Sequence, residues 1–137
     1  MKPFYLKVVA SDKVFYDGMC LSLTVPVEDG SVGILAHHEN EVLVISSGEL
    51  SIHTESDEII HGFVGDGFVE IIDGEVTVVV ISAEKPEDID DIRATAALER
   101  AKEELRHKQG FRQHEHSVAS LARAVHRLEL KKKYKKS

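Results

Sequence analysis

Four arginines and one aspartate carry the chemistry this sequence offers. Arg93 and Arg100 are seven residues apart, and Arg123 and Arg127 are four apart. On a helix each pair shares a face. A guanidinium is a planar fork of donors, so several converging guanidiniums suit a polyphosphate. With a helix–helix turn near Gln113, Arg100 lies 13 residues before it and Arg127 lies 14 after. An antiparallel hairpin then brings these two to similar height, with Arg123 one turn nearer the loop. Asp90 offers a carboxylate to the donors of a base or ribose. An acidic partner would suit the same arginines. The competing reading is a solvated face on which they pair with Glu99, Glu103 and Glu104.

Other groupings offer less. The phosphate loop GxxxxGK[ST] is absent, and Gly62-Phe63-Val64-Gly65-Asp66-Gly67 lies between strands, where its glycines serve turns. There is no CxxC, HExxH or nucleophile elbow. His37-His38 and His114-Glu115-His116 read as solvated loops. The chain is therefore expected to be non-catalytic, with no required metal or cofactor. The single cysteine, Cys20, excludes an intramolecular disulfide and suits a reducing compartment.

The elements that must position these residues change character at Glu84-Lys85-Pro86. Before this point short apolar runs alternate with turn signals. Phe4 to Val9, Val14 to Tyr16, Cys20 to Val27, Gly33 to Leu35 and Val42 to Ile45 read as strands. So do Leu50 to His53, Glu58 to Ile60, Phe63-Val64, Phe68 to Ile72 and Val76 to Ile81. Asp17-Gly18, Ser46-Ser47-Gly48 and Asp73-Gly74 mark turns. The pattern predicts an antiparallel β-sandwich or flattened barrel of about eight to ten strands.

After Pro86 the chain reads as helix. Acidic Glu87, Asp88, Asp90 and Asp91 favour a helix N-terminus. A first helix is predicted over about Asp88 to Lys108, with Ala94, Leu98, Ala101 and Leu105 as its stripe and Gly110 as its stop. Ser117 is the predicted N-cap of a second helix, whose stripe is Val118, Leu121, Ala122, Val125 and Leu128. The linking loop, Gly110 to His116, is short enough for antiparallel packing. Lys131 to Lys136 reads as a frayed, solvated tail. The fold class is thus α+β, with a sandwich over 1–84 and a helical hairpin over 85–137. A hairpin interface of Ala94, Ala97, Ala101, Ala119 and Ala122 buries little area and opens at small cost.

Charge divides at the same place. The net charge of −7 argues against nucleic-acid binding as the main task. Residues 1–84 hold 3 Lys against 15 Asp and Glu, and residues 85–137 hold 14 Lys and Arg against 9 Asp and Glu. Met1-Lys2-Pro3-Phe4 leads straight into a strand pattern, so no export signal is expected. No run approaches the roughly 20 apolar residues that span a bilayer, and membrane association is expected to be peripheral.

Over its full length the sequence resembles the epsilon subunit of bacterial and chloroplast rotary F-type ATP synthases. The resemblance lies in Val14-Phe15-Tyr16-Asp17-Gly18, Asp29-Gly30-Ser31-Val32-Gly33-Ile34-Leu35, Gly65-Asp66-Gly67-Phe68-Val69-Glu70 and Val76-Thr77-Val78-Val79, in that order. The Ala/Glu/Arg-rich tail completes it. The resemblance implies a sandwich packed on the gamma subunit and the c-ring. It implies a movable hairpin that extends toward the catalytic alpha and beta subunits and inhibits ATP hydrolysis. Its location would be peripheral, on the cytoplasmic face of a bacterial plasma membrane, held there only through the complex.

Some family members bind ATP as a regulatory ligand through Ile/Leu-Asp-x-x-Arg-Ala. Ile89, Asp90, Arg93 and Ala94 match that motif. Glu84, Arg100, Arg123 and Arg127 fall where the site has its acidic and arginine partners. By resemblance, Asp90 and Glu84 address adenosine and the arginines the phosphates. Two rotor-contact positions depart from the family. Leu35-Ala36-His37-His38-Glu39-Asn40-Glu41 replaces a loop like Leu-Pro-Gly-His-Ala-Pro-Leu, keeping His38, and Ser31 replaces a common acidic residue. His107, His114, His116 and His126 could make hairpin packing pH-sensitive. The alternative function is a free-standing ATP-sensing module, which co-purification with an ATPase complex would separate from a rotor subunit.

Overall fold

The computed structural model describes residues 1–106 and 111–134, with side chains described for 1–105 and 118–134. It divides into two compact units, Met1–Lys85 and Pro86–Ser137. In the first unit nine strands follow one another: β1 Phe4–Val9, β2 Val14–Val27, β3 Gly30–Ile34, β4 Glu41–Ile45, β5 Gly48–Thr54, β6 Ile59–Val64, β7 Gly67–Ile72, β8 Glu75–Val80 and β9 Ala83–Glu84.

Side chains alternate across these strands with period two. Phe4, Leu6 and Val8 of β1, Leu50 and Ile52 of β5, and Val76, Val78 and Val80 of β8 all point into one core. Burying each such side chain contributes about 1.5–3 kcal/mol. The strands pair in the order β4-β7-β8-β1-β2-β5-β6-β9, with β3 also on β2. All pairs are antiparallel except β1 with β8. The long strand β2 makes the sandwich. Its first half pairs with β1, its second half with β3 and β5, and the register shifts between Cys20 and Ser22. The described strands do not close into a barrel. Among the described residues β4 and β9 each pair along one edge, which corrects the flattened-barrel expectation to an open sandwich.

The Asp17-Gly18 turn is also corrected. Asp17 pairs with Lys7 and Gly18 with Leu6, so β2 runs through the expected turn. The Tyr5 hydroxyl donates to Asp17 Oδ1 across the same ladder. Continuous pairing with β1 overrides the local turn preference. Asp73-Gly74 does turn, joining β7 to β8 with φ of 49° and 82°. Gly67 is required by close approach: a Cβ there would lie 2.0 Å from the Val79 carbonyl oxygen.

The second unit opens on a single 3-10 turn, Pro86–Asp88, followed by α1, Asp91–Arg106, and α2, Phe111–Lys133. Lys131 Nζ donates to the Glu87 carbonyl at 3.4 Å, which sets the end of α2 beside the start of α1. The helices are therefore antiparallel. Ser117 lies inside α2 rather than at its start; the helix is already formed six residues earlier, at Phe111. Lys131–Lys133 are helical rather than frayed, with Lys133 Nζ 5.0 Å from the Tyr134 ring centroid. The Gly110 stop and the expected extension to Lys108 lie outside the described residues.

The α1 stripe is observed, with Ala94 and Ala101 buried and Leu98 and Leu105 half-buried. On α2 the face is rotated. Ala124 and Leu130 are buried, Leu121, Val125 and Leu128 are half-buried, and Val118, Ala119 and Ala122 are exposed. Positions 121, 124, 125 and 128 form the i, i+3, i+4, i+7 stripe. Ala119 and Ala122 thus drop out of the expected alanine interface.

Candidate functional site

The first turn of α1 is built by its own sequence. Pro86 starts the 3-10 turn, and the Ile89 amide closes it by donating to the Pro86 carbonyl at 3.2 Å. Asp90 then acts as the N-cap. Its Oδ1 accepts the amide of Ile92 at 2.9 Å and that of Arg93 at 3.2 Å, while its carbonyl accepts the amide of Ala94 at 2.8 Å. Ile89 is 2% exposed and Ala94 is fully buried, so these two motif residues serve packing. The carboxylate of Asp90 and the side chain of Arg93 remain exposed. So does Ile92, a large apolar side chain that is 82% exposed.

The level of each arginine follows from the helix bounds. Thirteen residues back from Arg106 is Arg93, and thirteen forward from Phe111 is Ala124. Arg93 is therefore level with the gap between Arg123 and Arg127. Six residues back is Arg100, which is level with Ser117 and about 9 Å along the axis from Arg123. The Lys131–Glu87 bond fits the same alignment. The expected match of Arg100 with Arg127 is thus corrected, because α2 begins earlier than a Ser117 cap would allow. Arg93 takes Arg100's place in the group.

Arg93 and Arg100 are exposed, without a side-chain partner among the described residues, and Arg123 and Arg127 are half-buried. Arg123 Nη2 donates to Ser120 Oγ at 3.2 Å. Glu99 pairs with Lys102 at 3.8 Å instead of with an arginine. The positive charge belongs to the second helix and its tail: residues 111–137 hold eight Lys and Arg against two Glu. Glu84 ends β9 opposite Phe63 and belongs to the sandwich unit.

On the sandwich, Ser31 and His38 stand at opposite ends of β3. Ser31 is exposed and pairs with Pro26. His38 follows the strand and is half-buried, with Nδ1 2.9 Å from the Glu39 carbonyl and Nε2 3.8 Å from Glu41 Oε2. Asn40 Oδ1 accepts the Asp73 amide at 2.9 Å, tying that loop to the β7–β8 turn. The structure does not bring Ser31 and His38 together.

A surface that sequence reasoning missed lies on β4, β7 and β8. Val44 pairs with Phe68, and Phe68 with Val79, and all three side chains face outward. Val42 extends the patch; Val42 and Val44 are 65% and 74% exposed. The signal was present in Glu41-Val42-Leu43-Val44-Ile45, a strand with no polar face. Such a row on a sheet suits a protein contact.

Titratable groups elsewhere are structural. Burial pushes the Cys20 thiol up to about 11. The hydrogen bond to Asp17 holds the Tyr5 hydroxyl above its ordinary value. The histidine–carboxylate pairs lie on the sandwich, His53–Asp57 at 2.6 Å and His61–Glu49 at 3.1 Å. Among the histidines the sequence pointed to, His126 is exposed, while His107 and the side chains of His114 and His116 lie outside the described residues. Among the described residues no group of three His, Cys, Asp or Glu side chains could hold a metal, and no helix is long and apolar enough to cross a membrane.

Both halves of this architecture match known profiles. The beta-sandwich domain of the ATP synthase delta/epsilon chain matches residues 3–86, and its long alpha-helix domain matches residues 87–132. The chain belongs to the ATP synthase delta/epsilon family. It is 36% identical over 128 residues to the ATP synthase epsilon chain of Ruminiclostridium cellulolyticum, covering 93% of this chain and 95% of that one. It is 36% identical over 134 residues to the epsilon chain of Caldanaerobacter subterraneus subsp. tengcongensis, covering 97% and 96%. The same fold occurs in a chain of the Euglena gracilis mitochondrial ATP synthase OSCP/F1/c-ring structure. There the TM-score is 0.78 at 22% identity, covering 90% of this chain and 78% of that one. Family membership makes the chain an epsilon-type, non-catalytic subunit. In the loop after β3, His37 takes a left-handed φ of 65°.

Proposed function

We propose that this chain is the central-stalk subunit that links gamma to the c-ring of a proton-translocating ATP synthase, and that its hairpin inhibits ATP hydrolysis and binds ATP. The observation that carries this reading is the family match over both the sandwich and the hairpin, in order. The outward row Val44-Phe68-Val79 is a surface that gamma would cover, and Ser31 and His38 lie at the strand β3 that would meet the rotor. The basic second helix suits an acidic surface on the catalytic subunits. Arg93, Arg123 and Arg127 gather the charge a triphosphate needs, with Arg100 one to two turns away. The location that follows is the cytoplasmic face of a bacterial membrane, reached through the complex.

Titration calorimetry of the isolated protein with ATP, with and without magnesium, tests the ligand. Saturable one-to-one binding is expected, and no heat up to millimolar ATP would remove nucleotide control of the hairpin. Hydrolysis by an epsilon-depleted complex tests the rest. Adding the protein back should lower the rate, and an unchanged rate with the protein bound would remove the inhibitory role.

A further inference from the structure

Resting on the nucleotide reading above, we propose that Asp90 serves the site as a positioning residue, through the helix it caps rather than through its charge. Its Oδ1 is committed to two backbone amides, Ile92 at 2.9 Å and Arg93 at 3.2 Å. Those are the second and third residues of α1, the donors an N-cap side chain satisfies. One of the two amides belongs to Arg93, the arginine level with Arg123 and Arg127. The carboxylate therefore fixes the backbone that aims a phosphate-facing guanidinium. On the other side the chain is pinned by the Ile89 amide on the Pro86 carbonyl and by burial of Ile89. Asp90 bridges an anchored turn and an exposed arginine.

Cap function needs an acceptor oxygen at the right reach and no negative charge. Asn and Ser cap as well as Asp, whereas Ala does not. A carboxylate recognising adenosine would behave differently, because the amide of Asn places a donor where one of the acceptors stood. Direct recognition and capping thus give opposite orders for the same substitutions.

The test measures amide hydrogen exchange at Ile92 and Arg93 without ATP, and ATP affinity by calorimetry, on the full chain with Asp90→Asn, Asp90→Ser and Asp90→Ala. Asn and Ser should keep exchange and affinity within about threefold of the parent. Ala should exchange about fivefold faster and bind ATP about fivefold more weakly. Asn that keeps the protection but loses tenfold in affinity would overturn the proposal and make the carboxylate a direct ligand contact. Equal exchange in Ala and parent would overturn the cap itself. If the parent binds no ATP, the nucleotide reading falls, and the exchange measurements alone still decide whether Asp90 holds Arg93 in place.

Discussion

Two positions show how closely the sandwich is packed at single residues. Gly67 has the Val79 carbonyl where a side chain would begin, only 2.0 Å from an added Cβ. That obstacle is backbone in the neighbouring strand, so Gly67→Ala must push β7 from β8. A cost of about 3 kcal/mol is expected, lowering the melting temperature of the sandwich by more than about 10 °C. Gly33, with nothing within 4 Å of its added Cβ, is the control. Gly33→Ala should melt with the parent, and equal melting of both variants would show that β7 yields without cost. Cys20 makes a pH prediction. Burial raises its thiol from 9.0 to about 11. A raised acid stabilises the fold below its unfolded value and loses that contribution as pH climbs through the folded one. Stability should therefore fall between pH 9 and 11, and Cys20→Ala should flatten that fall in alkaline denaturation curves. Thiol reagents at neutral pH should react only as fast as the sandwich opens.

At the scale of elements, the sequence was most legible where one periodicity ruled. The buried alternation of β1, β5 and β8 and the Ala94-Leu98-Ala101-Leu105 stripe follow directly from spacing. It was least legible where a neighbour decides. Asp17-Gly18 reads as a turn, yet pairing with Lys7 and Leu6 holds it in strand. Ser117 reads as a cap, yet α2 has already begun at Phe111. This last shift changed the candidate site, because moving a helix start by six residues moves its arginines by about 9 Å against α1. The composition of the arginine group was therefore readable and its alignment was not. The alignment makes its own prediction. Arg93→Ala, Arg123→Ala and Arg127→Ala should each weaken ATP binding by about tenfold, as loss of a charge-assisted contact of about 1.5 kcal/mol implies. Arg100→Ala should weaken it by no more than about threefold. Calorimetry on the four variants, with circular dichroism to confirm retained helix, checks the order. An Arg100 effect larger than that of Arg93 would show that the level of the helices does not govern the ligand.

At the scale of the molecule, the division at Lys85/Pro86 separates two kinds of stability. The sandwich has a continuous core in which Leu6, Leu23, Ile34, Ile45, Leu50 and Ile52 are essentially inaccessible to water. Among the described residues the two helices bury Ala94, Ala101, Ala124 and Leu130, and the three alanines remove little area from solvent. Most helical stability in proteins comes from tertiary packing, so the hairpin depends on packing that its alanines supply sparingly. A unit of low local stability is the kind that opens without unfolding its neighbour. Residues 88–137 should therefore be removable. The remaining chain should melt cooperatively near the temperature of the full protein's main transition, because the core cluster lies entirely within residues 4–83. Under the proposed function it should still join an epsilon-depleted complex, and the complex should hydrolyse ATP faster than with the full chain. Binding without inhibition would assign rotor contact to the sandwich and inhibition to the hairpin. Failure to bind, with the sandwich melting normally, would move part of the rotor contact onto the helices and require the Val44-Phe68-Val79 row to face something other than gamma.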